Sequence, residues 1–280
     1  MTGDDGADDA IGMVGGRNLP IAIVVGVVLA GLFLASLFWR AEAFAAVVIG
    51  FAVVALVEVA RIVRPVGIRL LTPVLVVSAI AASVGAFTAG PSGQLVGVAI
   101  IVGGGALALL ADRDRRDVVR TIGATSFFGL WVAILASYAV LLVDRDDGPV
   151  VVLAVVGAVI VADIGGYAFG VPFGRHKVAP SVSPNKSWEG LIGGLLVAAA
   201  LAAAVLPRVG DTFDPLSAAV LAVLCGLAAF LGDLFESMVK RDLGVKDLGG
   251  LLPGHGGVLD RVDGILFALP VGYYAMALVT

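Results

Sequence analysis

"PVVVLAVVGAVIVADIGGYAFGV" runs from Pro149 to Val171 and carries a single charge, Asp163. A transmembrane helix needs about 20 mostly apolar residues. A barrel strand would instead alternate apolar and polar positions with period two, and this run does not alternate. It reads as a membrane-spanning helix, and the same pattern recurs along the chain. Candidate spans lie near 19–39, 41–60, 68–89, 92–111, 121–143, 149–171, 187–207, 216–239 and 263–279. The whole chain is 60% hydrophobic and 14% charged, whereas soluble domains are about a quarter charged. So little polar surface cannot cover a soluble globule. The predicted fold is therefore all-α: a polytopic integral membrane helical bundle of about nine transmembrane helices.

Residues 1–18 are polar and include Asp4, Asp5, Asp8 and Asp9. They are expected to form a disordered acidic cytoplasmic tail, and they lack the basic n-region of a signal peptide. Residues 19–147 would form the N-terminal transmembrane helices, and 148–280 the C-terminal helices and cytoplasmic loops that hold the candidate site. The lone Cys225 excludes an intramolecular disulfide and a cysteine zinc cluster.

Lys and Arg near span ends favour the cytoplasm. When alternate loops are assigned to opposite sides, only Arg40, Arg145 and Arg208 of the 18 basic residues fall on one side. The skew predicts a cytoplasmic N-terminus and a cytoplasmic loop after the eighth span.

Ionisable residues inside a span cost free energy and need a reason. Asp163 lies roughly 15 Å by helix rise from the inner end of its span, and Asp233 roughly 10 Å from Lys240. Glu189 opens the seventh span and Asp263 the ninth. With Glu236, all five carboxylates fall in the cytoplasmic half, as one polar site open to the cytosol would require. Asp233, Glu236, Ser237, Lys240 and Arg241 line one helix face by their spacing. That face is acidic at depth and basic at its rim. Asp260 and Asp263 share a face if the last helix starts by residue 260. Converging carboxylates are hard oxygen donors and suit Mg²⁺ better than zinc or copper.

The following loop, "LGGLLPGHGG" at 248–257, is rich in glycine. Glycine lets backbone N–H groups approach an anion. With Lys240, Arg241, Lys246 and Arg261 nearby, the loop is expected to cradle a polyphosphate. In "SPNKSWEG" at 183–190, Ser187 is placed to cap a helix, Lys186 to reach a phosphate, and Glu189 to ligate a metal or to favour the helix N-terminus. Gly166, Gly170 and Gly174, four apart, predict close helix packing. Glu42 and Glu58, near span ends, are read as reaching the headgroup region.

The stretch 237–263, "SMVKRDLGVKDLGGLLPGHGGVLDRVD", resembles the signature of the phosphatidate cytidylyltransferase family, also called CDP-diacylglycerol synthase. Ser237, Lys240, Arg241, Lys246, Asp247, Gly249, Leu252, Pro253, His255, Gly256, Gly257, Asp260, Arg261 and Asp263 fit it, with two residues rather than three between Gly249 and Leu252. "ADIGGYAFG" and "SPNKSWEG" resemble two further blocks, with Ile164 where Thr is usual and Asn185 where Lys is usual. The resemblance is strong over 163–263; the earlier spans match only as hydrophobic helices.

That resemblance implies transfer of CMP from CTP to phosphatidic acid, giving CDP-diacylglycerol and pyrophosphate. It implies a metal site of Asp163, Asp233, Asp260 and Asp263 holding Mg²⁺, optionally with a second cation such as K⁺. Asp233, Asp260, Asp263, Lys240 and Arg241 would be catalytic. Ser237, Lys186, Ser187, Lys246, Asp247, His255, Gly256, Gly257 and Arg261 would bind substrate. The expected partners are CTP, phosphatidic acid, membrane lipids and, optionally, a second copy of the chain; nucleic acid is not expected. The expected location is the inner (plasma) membrane, multi-pass, with the site facing the cytoplasm. A secondary transporter is the rival from another class, and it would call for inverted repeats.

Overall fold

The structure, a computed structural model, describes residues 13–14, 17–113, 117–252 and 256–279. His255, Arg115, Arg116 and residues 1–12, 15 and 16 of the acidic tail lie outside the described residues. The chain is an all-α membrane protein with two small antiparallel strand pairs. The first pair, β1 (Met13–Val14) and β2 (Arg17–Asn18), precedes α1 (Leu19–Trp39) and α2 (Ala41–Val63). Among the described residues, six helical runs are long and apolar enough to cross a membrane.

The longest of these, 72–111, doubles back on itself. It comprises α3 (Thr72–Ala99), a π-helical turn (Ile100–Gly104) and α4 (Gly105–Ala111). Gly90 sits at φ 63°, ψ −149°, just before Pro91, a region open essentially to glycine. Past this point the chain returns along its own first half. A Cβ on Gly93 would lie 1.9 Å from the Gly85 carbonyl oxygen, and one on Gly97 would lie 2.5 Å from Ala82 Cβ. The runs read as 68–89 and 92–111 thus pack as two antiparallel arms. Helical structure begins only at Thr72 because Pro73 takes an N-terminal position there.

The run 118–143 follows as α5 (Val118–Phe128), a π segment (Gly129–Ile134) and α6 (Leu135–Val143). Then α7 (Gly148–Phe173) leads to a short hairpin of β3 (Lys177–Ala179) with β4 (Ser183–Ser187). The hairpin feeds α8 (Trp188–Val205), which the buried Ser187 caps by accepting from Gly190 N. α9 (Pro215–Leu243) starts on a capping box between Asp214 and Ser217 and stops at the left-handed Gly244. Asp214 lies outside the spans; the Ser217 and Leu216 N–H groups that bond it hold its carboxyl below the usual range. α10 (Leu259–Val279) begins four residues earlier than its apolar run, so Asp260 and Asp263 lie on one helix.

Small residues set how close the last four helices come. A Cβ on Gly194 would lie 2.4 Å from the Ala162 carbonyl oxygen, and one on Gly190 2.8 Å from that of Gly166. That is the close α7–α8 packing the glycine spacing predicts. Between α9 and α10, a Cβ on Gly232 would lie 2.9 Å from the Asp263 carbonyl oxygen. Large apolar side chains such as Leu107, Val171, Leu196 and Leu278 stay exposed on the outside, as a lipid-facing surface requires.

Candidate functional site

The Gly232 contact draws the C-terminal half of α9 against the start of α10. Asp233, Glu236 and Asp263 thereby converge, each offering a carboxylate oxygen within 4.8 Å of the others. Two unit charges about 4 Å apart repel by about 4 kcal/mol at an effective dielectric of 20. Such a trio is relieved by nearby cations or by taking up a proton. Lys186 Nζ, brought in by β4, lies 2.5 Å from Asp233 Oδ2 and sits 4.4 Å from the centre of the Phe230 ring. Lys240 Nζ lies 3.1 Å from Glu236 Oε1 and 2.6 Å from Asp260 Oδ1. Ser237 Oγ donates to Asp233 Oδ1 at 3.4 Å.

Asp163 on α7 is exposed and close enough to Lys186, Asp233 and Asp263 to interact with their charges. An aromatic cluster borders the trio: Phe235 meets Trp131 at 4.9 Å and Phe267 at 5.3 Å between ring centroids. It joins the π segment after α5 to α9 and α10.

Asp260 has other company. Its carboxylate accepts from Leu248 N at 3.0 Å and Gly257 N at 2.8 Å, besides pairing with Lys240. Its side chain is only 2% exposed. Glu236 takes the third place among the clustered carboxylates, a role the spacing of α9 allowed but the resemblance did not assign. Its Oε1 is buried and faces the Lys240 ammonium at 3.1 Å. Three carboxylates gathered this closely are the donors a hard divalent cation takes.

Much of the glycine loop's backbone is already engaged within the protein. Gly250 N and Leu251 N donate to Glu58 Oε1 at 2.9 and 2.7 Å, and Val258 N donates to Glu58 Oε2 at 2.7 Å. Leu248 N and Gly257 N go to Asp260, and Leu252 N to the Gly256 carbonyl. Those six amides serve the protein's own acceptors. Glu58 does not reach the headgroups: it is 6% exposed, 200 residues before its partner Val258. Its signal was an acid near the end of an apolar span, which is costly unless the acid is bonded.

Glycine is nonetheless required in the loop. Gly256 has φ +80°, and a Cβ on Gly257 would meet Gly249 Cα at 2.6 Å. Gly256 also lies beside Asp247. Lys246, Arg241 and Arg261 are exposed near this loop, and Arg241 Nε donates to the Val182 carbonyl at 3.4 Å. Ser187 is spent on its cap. Glu189 stands outside the acidic trio, bonded to His176 Nδ1 at 2.6 Å. That pair belongs to a shallow groove of about 760 Å³ lined also by Arg175, Lys177 and Trp188.

Comparison with known proteins identifies the family. The model of the cytidylyltransferase family matches residues 20–279. The chain is 38% identical over 288 residues to a phosphatidate cytidylyltransferase of Mycobacterium leprae, covering 94% of this chain and 89% of the relative. It is 38% identical over 266 residues to the one of Mycobacterium bovis, covering 90% and 86%. A Pseudomonas aeruginosa relative with the same name is 49% identical over 121 residues, covering 43% and 45%. With a match over nearly its whole length, and lysines and carboxylates gathered where its last helices meet, the chain belongs to the cytidylyltransferase family of nucleotidyltransferase enzymes.

Proposed function

We propose that this chain transfers CMP from CTP to phosphatidic acid, releasing pyrophosphate and forming CDP-diacylglycerol for phospholipid synthesis. The observation that carries the reading is the Asp233–Glu236–Asp263 trio flanked by Lys186 and Lys240. The names of its relatives support the substrates.

The chemistry is an in-line displacement. A phosphate oxygen of the lipid forms a bond to the CTP α-phosphorus, and the bond from that phosphorus to the bridging oxygen of pyrophosphate breaks. The attacking oxygen is already anionic, so no Ser–His pair is required. The obstacle is bringing two polyanions together. Lys186 and Lys240 supply fixed positive charge where the phosphates meet. Arg241, Lys246 and Arg261 extend that charge to the rim. Asp233, Glu236 and Asp263, with Asp163 beside them, would hold Mg²⁺. That ion, when bound, neutralises phosphate charge and polarises a phosphoryl oxygen. Asp260 orients Lys240 and ties it to the loop. Holding both substrates in line lowers the entropic part of the barrier.

The same reading sets the site in the inner membrane facing the cytosol. Nine spans run from a cytoplasmic N-terminus, with 19–147 as scaffold and 148–280 as the catalytic half. CTP arrives from solution and the lipid sideways from the bilayer. Purified protein with labelled CTP, Mg²⁺ and phosphatidic acid is expected to give CDP-diacylglycerol and pyrophosphate. Product from an isoprenoid phosphate or a lipid alcohol, with none from phosphatidic acid, would move the assignment to another CTP-using lipid enzyme.

A further inference from the structure

Glu58 is the only acid that α2 places deep in the packed interior; Glu42, on the same helix, is exposed. Its two oxygens take three amides of the loop that follows α9: Gly250, Leu251 and Val258. Charge-assisted bonds of this kind are shorter and stronger than neutral ones, and all three are within 2.9 Å. A Cβ on Gly249 would meet Glu58 Oε1 at 2.5 Å, so the loop closes onto the carboxylate only because glycine stands there.

Asp260 grips the same loop from α10 through Leu248 and Gly257. Along the chain the amides therefore go to Asp260, Glu58, Glu58, Asp260 and Glu58. The loop is stretched between two carboxylates from opposite halves of the protein. The Asp260 carboxylate also holds Lys240, which pairs with Glu236 of the trio. A loop that shifts on the α2 side moves Asp260, then Lys240, then the charge balance at Glu236.

We propose that Glu58 is a positioning residue for nucleotidyl transfer: α2, in the scaffold half, fixes the register of the loop and through it sets Lys240 against the acidic trio. The inference rests on the reading of that trio as the CTP site. A neutral glutamine cannot replace Glu58. It offers one acceptor oxygen, and its NH₂ would face another donor.

The test compares wild type, Glu58→Gln, Glu58→Asp and Glu58→Ala, with Glu42→Gln as control. Turnover and KM for CTP and for phosphatidic acid are measured in detergent, with thermal melting and hydrogen–deuterium exchange of peptides over 248–258. The expected result is a kcat fall of roughly 10- to 100-fold in Glu58→Gln, the range for outer partners of a metal site. KM for phosphatidic acid holds within about twofold, exchange of the loop amides is faster, and Glu58→Asp recovers part of the rate. Glu42→Gln matches wild type. Wild-type turnover with Glu58→Gln within about twofold of it overturns the proposal. So does a lower melting temperature with unchanged turnover per folded molecule, which marks Glu58 as structural only. If Glu58→Ala does not fold, Glu58→Gln and Glu58→Asp decide. No product from folded wild type with any acceptor removes the CTP reading itself, and the positioning role with it.

Discussion

Lys186 Nζ stands 2.5 Å from Asp233 Oδ2, joining the β4 hairpin strand to the middle of α9. Two blocks separated by more than 40 residues thus meet at one ion pair beside the acidic trio. The hairpin thus borders the trio, and its lysine balances the charge of Asp233.

Lys186→Ala is expected to lower kcat by roughly 100-fold, the effect of losing one preorganised electrostatic contact in a transition state. Asp233 would keep its place on α9, so the circular dichroism of the variant should match wild type. Steady-state kinetics across CTP concentrations reads the loss, and Lys186→Arg should recover part of it.

Glu236 and Asp260 should separate by phenotype. Glu236→Gln removes a trio ligand, so the Mg²⁺ concentration for half-maximal rate should rise by at least about tenfold. Asp260→Asn loosens Lys240 and the loop amides of Leu248 and Gly257. Its rate should fall with little change in Mg²⁺ dependence and with faster loop exchange. Mg²⁺ titrations of both variants check this.

Gly257→Ala is expected to destabilise and inactivate together. The new Cβ would lie 2.6 Å from Gly249 Cα and 2.7 Å from Asp260 Oδ2. Overpacking of this kind costs about 1–3 kcal/mol, and here the strain falls on the carboxylate that holds Lys240. Thermal melting and turnover of the purified variant measure both effects.

Gly93→Ala is expected to act on stability alone. Its Cβ would lie 1.9 Å from the Gly85 carbonyl oxygen and push apart the two arms of the 72–111 hairpin. A loss of about 1–3 kcal/mol should lower the melting temperature in detergent. Turnover per folded molecule should be kept, since none of the site residues lies on those arms.

The basic loops predict a sidedness that labelling can check. In a Cys225→Ala background, a membrane-impermeant maleimide on intact cells should label Arg208→Cys and leave Lys177→Cys unlabelled until lysis. Both positions are exposed. The reverse pattern would invert the topology.

Much of this site could be read before the structure. Apolar runs gave the helices, and the spacing of Asp233, Glu236 and Lys240 put them on one face because a helix repeats every 3.6 residues. Ser187 as a cap and the glycines of α7 as contact points are equally local signals. Tertiary partnerships were not legible. No pattern in the sequence ties Glu58 to Val258, because that bond depends on how α2 packs against a loop 200 residues away. Nor does spacing tell that Asp260 spends its oxygens on Lys240 and loop amides while Glu236 joins Asp233 and Asp263. The reversal at Gly90 was visible only as a gap between apolar runs, and its left-handed φ is a property of the folded chain.

We propose the trio of Asp233, Glu236 and Asp263 as the metal-dependent centre of nucleotidyl transfer. The most direct measurement is the rate of CDP-diacylglycerol formation from CTP and phosphatidic acid, with and without EDTA, by wild type, Asp233→Asn and Asp263→Asn. Wild type is expected to give product that vanishes with EDTA and is restored by Mg²⁺, with losses of at least about 100-fold in both variants. Product that survives EDTA, or that both variants make at wild-type rate while folded, would contradict it.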